Sequence, residues 1–304
     1  MIKTENLTKE YNGKKAVGDL NLEIKKGDVF GFLGPNGSGK TTTILMLNGM
    51  IEPTSGKCYI NDMEVTKNPL EVKRIVGYLP EGVGFYGHLT GLQNLDYFAQ
   101  FYNMEKEDRK KRIEEILSLV GLEGVGQKVG GYSRGMVQRL GLAQALLNDP
   151  DVIFLDEPTS NLDPEGVLHL RQTLKKLSDE GKTIFFSSHI LSEVSQVCKT
   201  VGIISNGRLV ECGALDEIKN KLDTKKSVKI IVETIEEMPR IEHKDIIKVE
   251  YKEKRAIIEA KSDIRAEVSK FLFEKNVKIL ELKIEESSLE DIFLESIYKD
   301  GGEK

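Results

Sequence analysis

The stretch Val29-Phe30-Gly31-Phe32-Leu33-Gly34-Pro35-Asn36-Gly37-Ser38-Gly39-Lys40-Thr41 decides how the rest of the chain is read. Its first five residues are apolar on both faces, the pattern of a strand buried inside a sheet. Residues 34–41 then follow the spacing G-x-x-x-x-G-K-[ST], and a helical pattern runs from about Thr41 to Met50. Glycines let the backbone fold close enough for its N–H groups to point at phosphate oxygens. The helix N-terminus adds partial positive charge at the same place. Lys40 would put its ammonium on the β- and γ-phosphates of a nucleotide, and Thr41 would offer a hydroxyl to Mg2+. An ordinary glycine-rich turn is the competing reading, and the strand–loop–helix setting speaks against it.

Working outward, residues 1–32 alternate apolar and polar in short runs such as LNLEI (20–24), which read as strands. Residues 86–147 change character. Segments 92–103, 107–120 and 136–147 carry apolar residues at helical spacing, for example Ile113, Ile116, Leu117 and Val120. This block reads as a helical subdomain. DVIFLDEP (151–158) and KTIFFSSH (182–189) are short apolar strands on either side of a helix near 165–179. That β–α–β order means a parallel sheet. A further strand, VGIISNG (201–207), and a turn follow, and the first domain is expected to span 1–222. DTKKS (223–227) reads as a charged linker. Beyond it lie the alternating runs VKIIVE, IIKVEY and AIIEA, a helix near 263–275, the strand VKILELKI and a last helix near 288–298. That helix would carry Leu289, Ile292, Phe293 and Ile297 on one stripe. Residues 226–304 are thus expected to form a small separate α+β domain without a catalytic constellation.

The bulk numbers fit this division. A chain of 304 residues is long for one core and suits a large domain plus a smaller one. Its 39% hydrophobic and 31% charged residues are a globular composition. A net charge of -5 argues against a dedicated nucleic-acid binder, because phosphate neutralisation needs a Lys/Arg surplus. Cys58, Cys198 and Cys212 are scattered without metal-ligand spacing and read as reduced structural thiols. The polar N-terminus is no secretory signal, and no apolar run approaches the ~20 residues needed to span a bilayer. A membrane role would therefore run through a partner.

Asp156 and Glu157 close the apolar strand VIFLD, and ligands of open parallel sheets bind outside the carboxyl ends of strands. Asp156 would hold Mg2+, through its water shell, and Glu157 would polarise the attacking water as general base. Read alone, Asp-Glu-Pro is equally a strand end running into a turn; the phosphate loop upstream favours the chemical reading. His189 also ends an apolar strand on the same edge, which points to a γ-phosphate contact.

Taken as a set, these residues resemble the ABC ATPase family over about 1–222. The family's phosphate loop matches 34–42, and its second carboxylate motif matches 152–157. Its signature loop is similar to Tyr132-Ser133-Arg134-Gly135-Met136, its D-loop to Ser160-Asn161-Leu162-Asp163, and its switch histidine to His189. The resemblance implies a P-loop NTPase fold with a parallel-sheet core, a β-subdomain and a helical subdomain. It implies ATP and Mg2+ held by Asn36, Gly37, Ser38, Gly39, Lys40, Thr41 and Thr42, with Tyr11 stacking on adenine. It implies metal contacts from Thr41, Glu81 and Asp156, and catalytic roles for Glu157, His189 and Lys40. A second copy would cover the nucleotide with its own Ser133 and Gly135. Ser133 also reads as a helix N-cap, and both roles can hold together.

Three positions depart from the family pattern. Arg134 replaces a glycine, Met136 replaces a glutamine, and Glu81 stands where glutamine is common; a carboxylate can still ligate Mg2+. These variants, with the segment 287–294, resemble the branch that pairs with exporter-type permeases. The resemblance implies an ATP-hydrolysing subunit at the inner face of a cell membrane, working as a homodimer on a separate permease. Residues 82–103, with Phe85, Tyr86, Leu89, Leu92, Leu95, Tyr97 and Phe98, would receive that permease. The rival function is a soluble ABC-type ATPase acting on ribosomes or DNA. A single phosphate loop, a single signature loop and no heptad insertion weigh against it. The signature loop, D-loop and His189 weigh against a kinase or GTPase.

Overall fold

The computed structural model describes residues 1–160, 162–218 and 228–285. The sequence expectations for the 223–227 linker, for Asn161, and for the segment 287–294 and helix 288–298 lie outside the described residues. The chain divides into two compact units, Met1–Asp216 and Glu217–Lys304.

In the first unit, β1 (Ile2–Tyr11) and β2 (Lys14–Ile24) form an antiparallel hairpin. Asn12 and Gly13 join them with φ of 50° and 79°, the left-handed pair that matches strand twist in a tight hairpin. Alternation buries Leu20, Leu22 and Ile24 and leaves the residues between them in solvent. β3 (Val29–Leu33) is buried along its whole length and leads through the glycine-rich loop into α1 (Lys40–Leu47). The sequence pattern carries that helix to Met50. It stops earlier because Asn48 closes it and Gly49 turns left-handed at φ 63°.

β4 (Ser55–Ile60), β5 (Met63–Glu64), α2 (Pro69–Ile75) and β6 (Val76–Leu79) follow. The helical block is α3 (Gly91–Ala99), α4 (Lys106–Leu119) and α5 (Arg134–Ala145). Thr90 and Gln93 cap α3 reciprocally, a capping box. The 92–103 helix expected from spacing is shorter, because Gln100–Tyr102 tighten into a 3-10 turn and Asn103 turns left-handed. β7 (Val152–Asp156), α6 (Pro164–Asp179), β8 (Thr183–Ser188), α7 (Leu191–Ser195), β9 (Thr200–Ser205) and β10 (Arg208–Ala214) complete the unit.

The strands make two sheets. One is antiparallel in the order β2-β1-β4-β5; the other runs β10-β9-β3-β8-β7-β6, parallel except for β10. Phe185 sits among Phe30, Phe32 and Phe154, with ring centroids 5.4, 5.2 and 5.5 Å away. Each such ring contributes about 2 kcal/mol from burial, and each pair about 1 kcal/mol more. This core clamps the three central strands and so sets where their carboxyl ends lie.

The second unit has β11 (Val228–Thr234), β12 (Ile246–Lys252), β13 (Arg255–Ala260), α8 (Arg265–Glu274) and β14 (Ile279–Glu285). Its sheet is antiparallel in the order β12-β13-β11-β14. Ile230, Val232 and Ile258 from the sheet and Val268 and Leu272 from α8 form a core of its own.

Candidate active site

Register fixes the site. In the parallel sheet Leu33 lies beside Ser188, Asp156 beside Ser187, and Leu79 beside Leu155. The residues that follow those strand ends therefore gather on one edge: the loop 34–39, Glu157, His189 and Glu81. Such an edge is where open parallel sheets bind ligands.

The phosphate loop keeps the shape expected from its glycines. Gly39 has φ 109°, and a Cβ there would stand 2.6 Å from the Ala16 carbonyl oxygen. A Cβ on Gly34 would stand 2.3 Å from the Ile204 carbonyl oxygen. Neither position accepts a side chain. Lys40, only 5% exposed, donates to the carbonyls of Gly34 at 2.7 Å and Pro35 at 3.2 Å. Its ammonium also lies 3.1 Å from Glu157 Oε1, an ion pair without hydrogen-bond alignment. A cleft of about 330 Å³ is lined by Ala16, Asn36, Gly37, Gly39, Lys40, Thr41, Thr42, Glu81 and Glu157. The structure thus brings together most of the residues expected at the nucleotide.

The carboxylates are held from behind. Asp156 is fully buried, and Ser187 Oγ donates to its Oδ1 at 2.7 Å. The same hydroxyl accepts the Glu157 backbone N–H at 3.0 Å. Glu157 has φ 48°, a left-handed conformation unusual for its type. Its carbonyl accepts the Ser160 hydroxyl at 2.6 Å and the Ser160 N–H at 3.1 Å. His189 Nδ1 lies 2.8 Å from Glu157 Oε2. An ionised carboxylate only accepts, so this contact places a proton on Nδ1. Burial, followed by the neighbouring Asp156 and Glu81 carboxylates, pushes the Tyr78 phenol above its usual range and keeps it neutral. A second bracket sits alongside. Glu193 Oε2 accepts the hydroxyls of Thr159 at 2.6 Å and Ser188 at 2.8 Å, and Ser188 Oγ accepts the Ile190 N–H. The Ser188 carbonyl accepts the Gly34 N–H at 3.2 Å, which joins this bracket to the phosphate loop.

Three buried side-chain oxygens on this edge, Ser38 Oγ, Asp156 Oδ2 and the Lys40-paired Glu157 Oε1, have no hydrogen-bond partner. Buried polar atoms are normally paired, so these mark where an outside group belongs. A magnesium–phosphate group suits them: Mg2+ takes few protein oxygens and leans on phosphates and water. Among the described residues no cluster of three or more His, Cys, Asp or Glu could hold a metal alone.

Other expected residues lie elsewhere. Ser133 caps α5 by accepting the Met136 N–H at 3.2 Å. With Arg134, Gly135, Arg139, Asp163 and His169 it lines a separate cavity of about 440 Å³. Tyr11 stands at the end of β1, half exposed under the Lys9 ammonium, and does not line the cleft beside Lys40. Sequence reading assigned no role to Ser187, Ser188, Thr159 or Glu193. Two serines ending a buried strand with an apolar centre were the available signal, since buried hydroxyls need partners.

The chain has relatives among known proteins. Residues 17–160 match the family described as ABC transporter, and residues 213–297 match the ATP-binding protein DrrA1-3-like, C-terminal domain. The bacitracin transport ATP-binding protein BcrA of Bacillus licheniformis is 40% identical over 98% of this chain and 97% of its own length. The linearmycin resistance ATP-binding protein LnrL of Bacillus subtilis (strain 168) is 31% identical over 97% of each. The dimeric post-hydrolysis structure of the ATP-binding cassette MJ0796 bound to ADP and Pi is 29% identical. It has a TM-score of 0.66 and covers 71% of this chain and 99% of its own. Likeness that runs nearly end to end, over a sheet edge that gathers a phosphate loop, two carboxylates and a histidine, makes this chain a member of the ABC transporter ATP-binding proteins, the ATP-hydrolysing subunits of those transporters.

Proposed function

We propose that the chain drives export of an antibiotic-like compound through a separate permease, working as a homodimer at the cytoplasmic face of the membrane. The observation that carries this is the match over 98% of the chain to a bacitracin transport ATP-binding protein, which includes both units. Among the described residues no helix is long and apolar enough to cross a membrane. Residues 1–222 would be the ATP-binding domain and 226–304 an accessory domain.

In this reading the loop 36–42 encloses the phosphates of ATP and Tyr11 meets the adenine. Thr41 and Glu81, with Asp156 behind water, would hold Mg2+. That ion would supply charge neutralisation at the phosphates. Lys40 leaves Glu157 for the β- and γ-phosphates, which frees Glu157 to take a proton from water. His189 moves from Glu157 to the γ-phosphate. Ser133 and Gly135 come from the second copy, which accords with their separate cavity.

The test is affinity purification of tagged Glu157→Gln protein from detergent-solubilised membranes with ATP. A multi-spanning protein recovered at about equal amount supports the reading and names the permease. Recovery only from the soluble fraction, with ribosomal or DNA-repair proteins, overturns it.

A further inference from the structure

We propose that Ser187 is a positioning residue for the ATPase reaction: its hydroxyl orients the Asp156 carboxylate and sets the affinity of the site for Mg2+. The proposal rests on the assignment of Asp156 to the metal.

Ser187 stands beside Asp156 in the parallel register of β7 and β8. Both side chains are fully buried. A serine hydroxyl has one proton to donate and lone pairs to accept with. Here the proton goes to Asp156 Oδ1 at 2.7 Å, and a lone pair takes the Glu157 N–H at 3.0 Å. One oxygen therefore fixes the side chain of the first acid and the backbone of the second. The donation to Oδ1 leaves Oδ2 as the unpartnered oxygen. The bond to the Glu157 N–H braces a residue held at φ 48°, a conformation that needs support from its surroundings.

The hydroxyl is not there for packing. Its strand neighbours Phe185 and Phe186 are fully buried and apolar, and a buried hydroxyl is costly unless bonded. Alanine at 187 would leave the Glu157 N–H unpaired and the Asp156 carboxylate free to rotate. Groups that orient metal-binding side chains without touching the ion typically carry 10- to 100-fold of metal affinity or activity.

The test follows binding of a fluorescent ATP analogue to the full chain, titrated with Mg2+ and repeated in EDTA. Ser187→Ala is expected to raise the Mg2+ concentration at half-maximal binding about 10-fold or more, with binding in EDTA unchanged. Ser187→Thr, which keeps the hydroxyl, should restore the parent midpoint. Ser187→Cys, close in size but a weak donor, should behave like alanine and serves if the alanine variant does not fold. A folded Ser187→Ala or Ser187→Cys protein with the parent midpoint overturns the proposal. Asp156→Asn separates the two layers. If it shifts the midpoint and the Ser187 variants do not, positioning fails alone. If Asp156→Asn leaves the midpoint unchanged, the metal assignment fails and takes the proposal with it.

Discussion

Replacing Glu157 by Gln tests two claims at once: that this carboxylate is the general base, and that it holds Lys40 when no phosphate does. At 3.1 Å and an effective dielectric of about 20, the Coulomb attraction to Lys40 is about 5 kcal/mol. Removing the carboxylate charge also relieves its own desolvation, which is of the same order. The carbonyls of Gly34 and Pro35 still accept from the ammonium. The remainder is a loss of about 2 kcal/mol, below the ~3–5 kcal/mol usual for an orphaned buried charge, because those two carbonyls still hold the ammonium. For a unit of this size that lowers the melting temperature by about 4–8 °C. Saturating Mg-ATP should erase the difference, since phosphate then supplies the missing charge. Phosphate release should fall by about 10²–10⁴, the usual contribution of a general base. Calorimetry with and without Mg-ATP and a phosphate-release assay read the two effects separately. Undiminished hydrolysis would refute the base assignment. An unchanged melting temperature without nucleotide would refute the pairing of Lys40 as a stabilising contact.

Ser133 has a cap role within its own chain and a proposed role toward the second copy, and two substitutions part them. Ser133→Ala should cost about 1 kcal/mol of stability through the lost cap; Ser133→Asp should keep the cap yet abolish ATP-dependent dimerisation by placing a negative charge against phosphate, read by light scattering of the Glu157→Gln background. Retained dimerisation of the aspartate variant would remove Ser133 from the shared site. The cysteines should differ in reactivity. Burial raises all three thiols, Cys58 to about 12, but Cys212 alone is exposed to a reagent. Alkylation near neutral pH, mapped by mass spectrometry, should mark Cys212 alone until the protein is unfolded; labelling of Cys58 at the Cys212 rate in the native protein would contradict its burial.

The phosphate loop was legible because its information is local. Eight consecutive residues specify the strand end, the glycines at 37 and 39 that need positive φ, and the lysine on the helix N-terminus. Asp156 and Glu157 were legible only through that loop: alone, two acids closing an apolar strand are equally a strand end running into a turn, and the phosphate loop upstream tips the reading. Helix ends were less so. α1 stops at Leu47 because Gly49 takes a left-handed turn, a choice that periodicity does not register. The supports behind the acids were not legible. Ser187 meets Asp156 across 31 positions and Glu193 meets Thr159 across 34. A serine ending a strand looks the same in sequence whether its hydroxyl faces a neighbouring strand or a cavity. Only the register of β7 against β8 makes the distinction.

In the proposed two-copy reading one chain holds only part of the site. Asn36, Lys40, Thr41, Glu81 and Glu157 line one cleft on the carboxyl edge. The hydroxyl of Ser133 and the N-terminus of α5 open instead into a cavity with Asp163 and His169. An N-terminus of a helix is an anion site in its own right. Here it carries Arg134 as its first residue, a cation at the positive end of the helix dipole. That placement is unfavourable for a lone subunit by up to about 1 kcal/mol, offset in part by the Asp163 and Glu165 carboxylates that line the same cavity. It becomes favourable when an anion is brought to the cavity, and a phosphate carried on a second copy has the right charge. An arrangement that is mildly wrong alone and right in a pair supports the two-copy site, and the Ser133 variants are where that argument meets measurement.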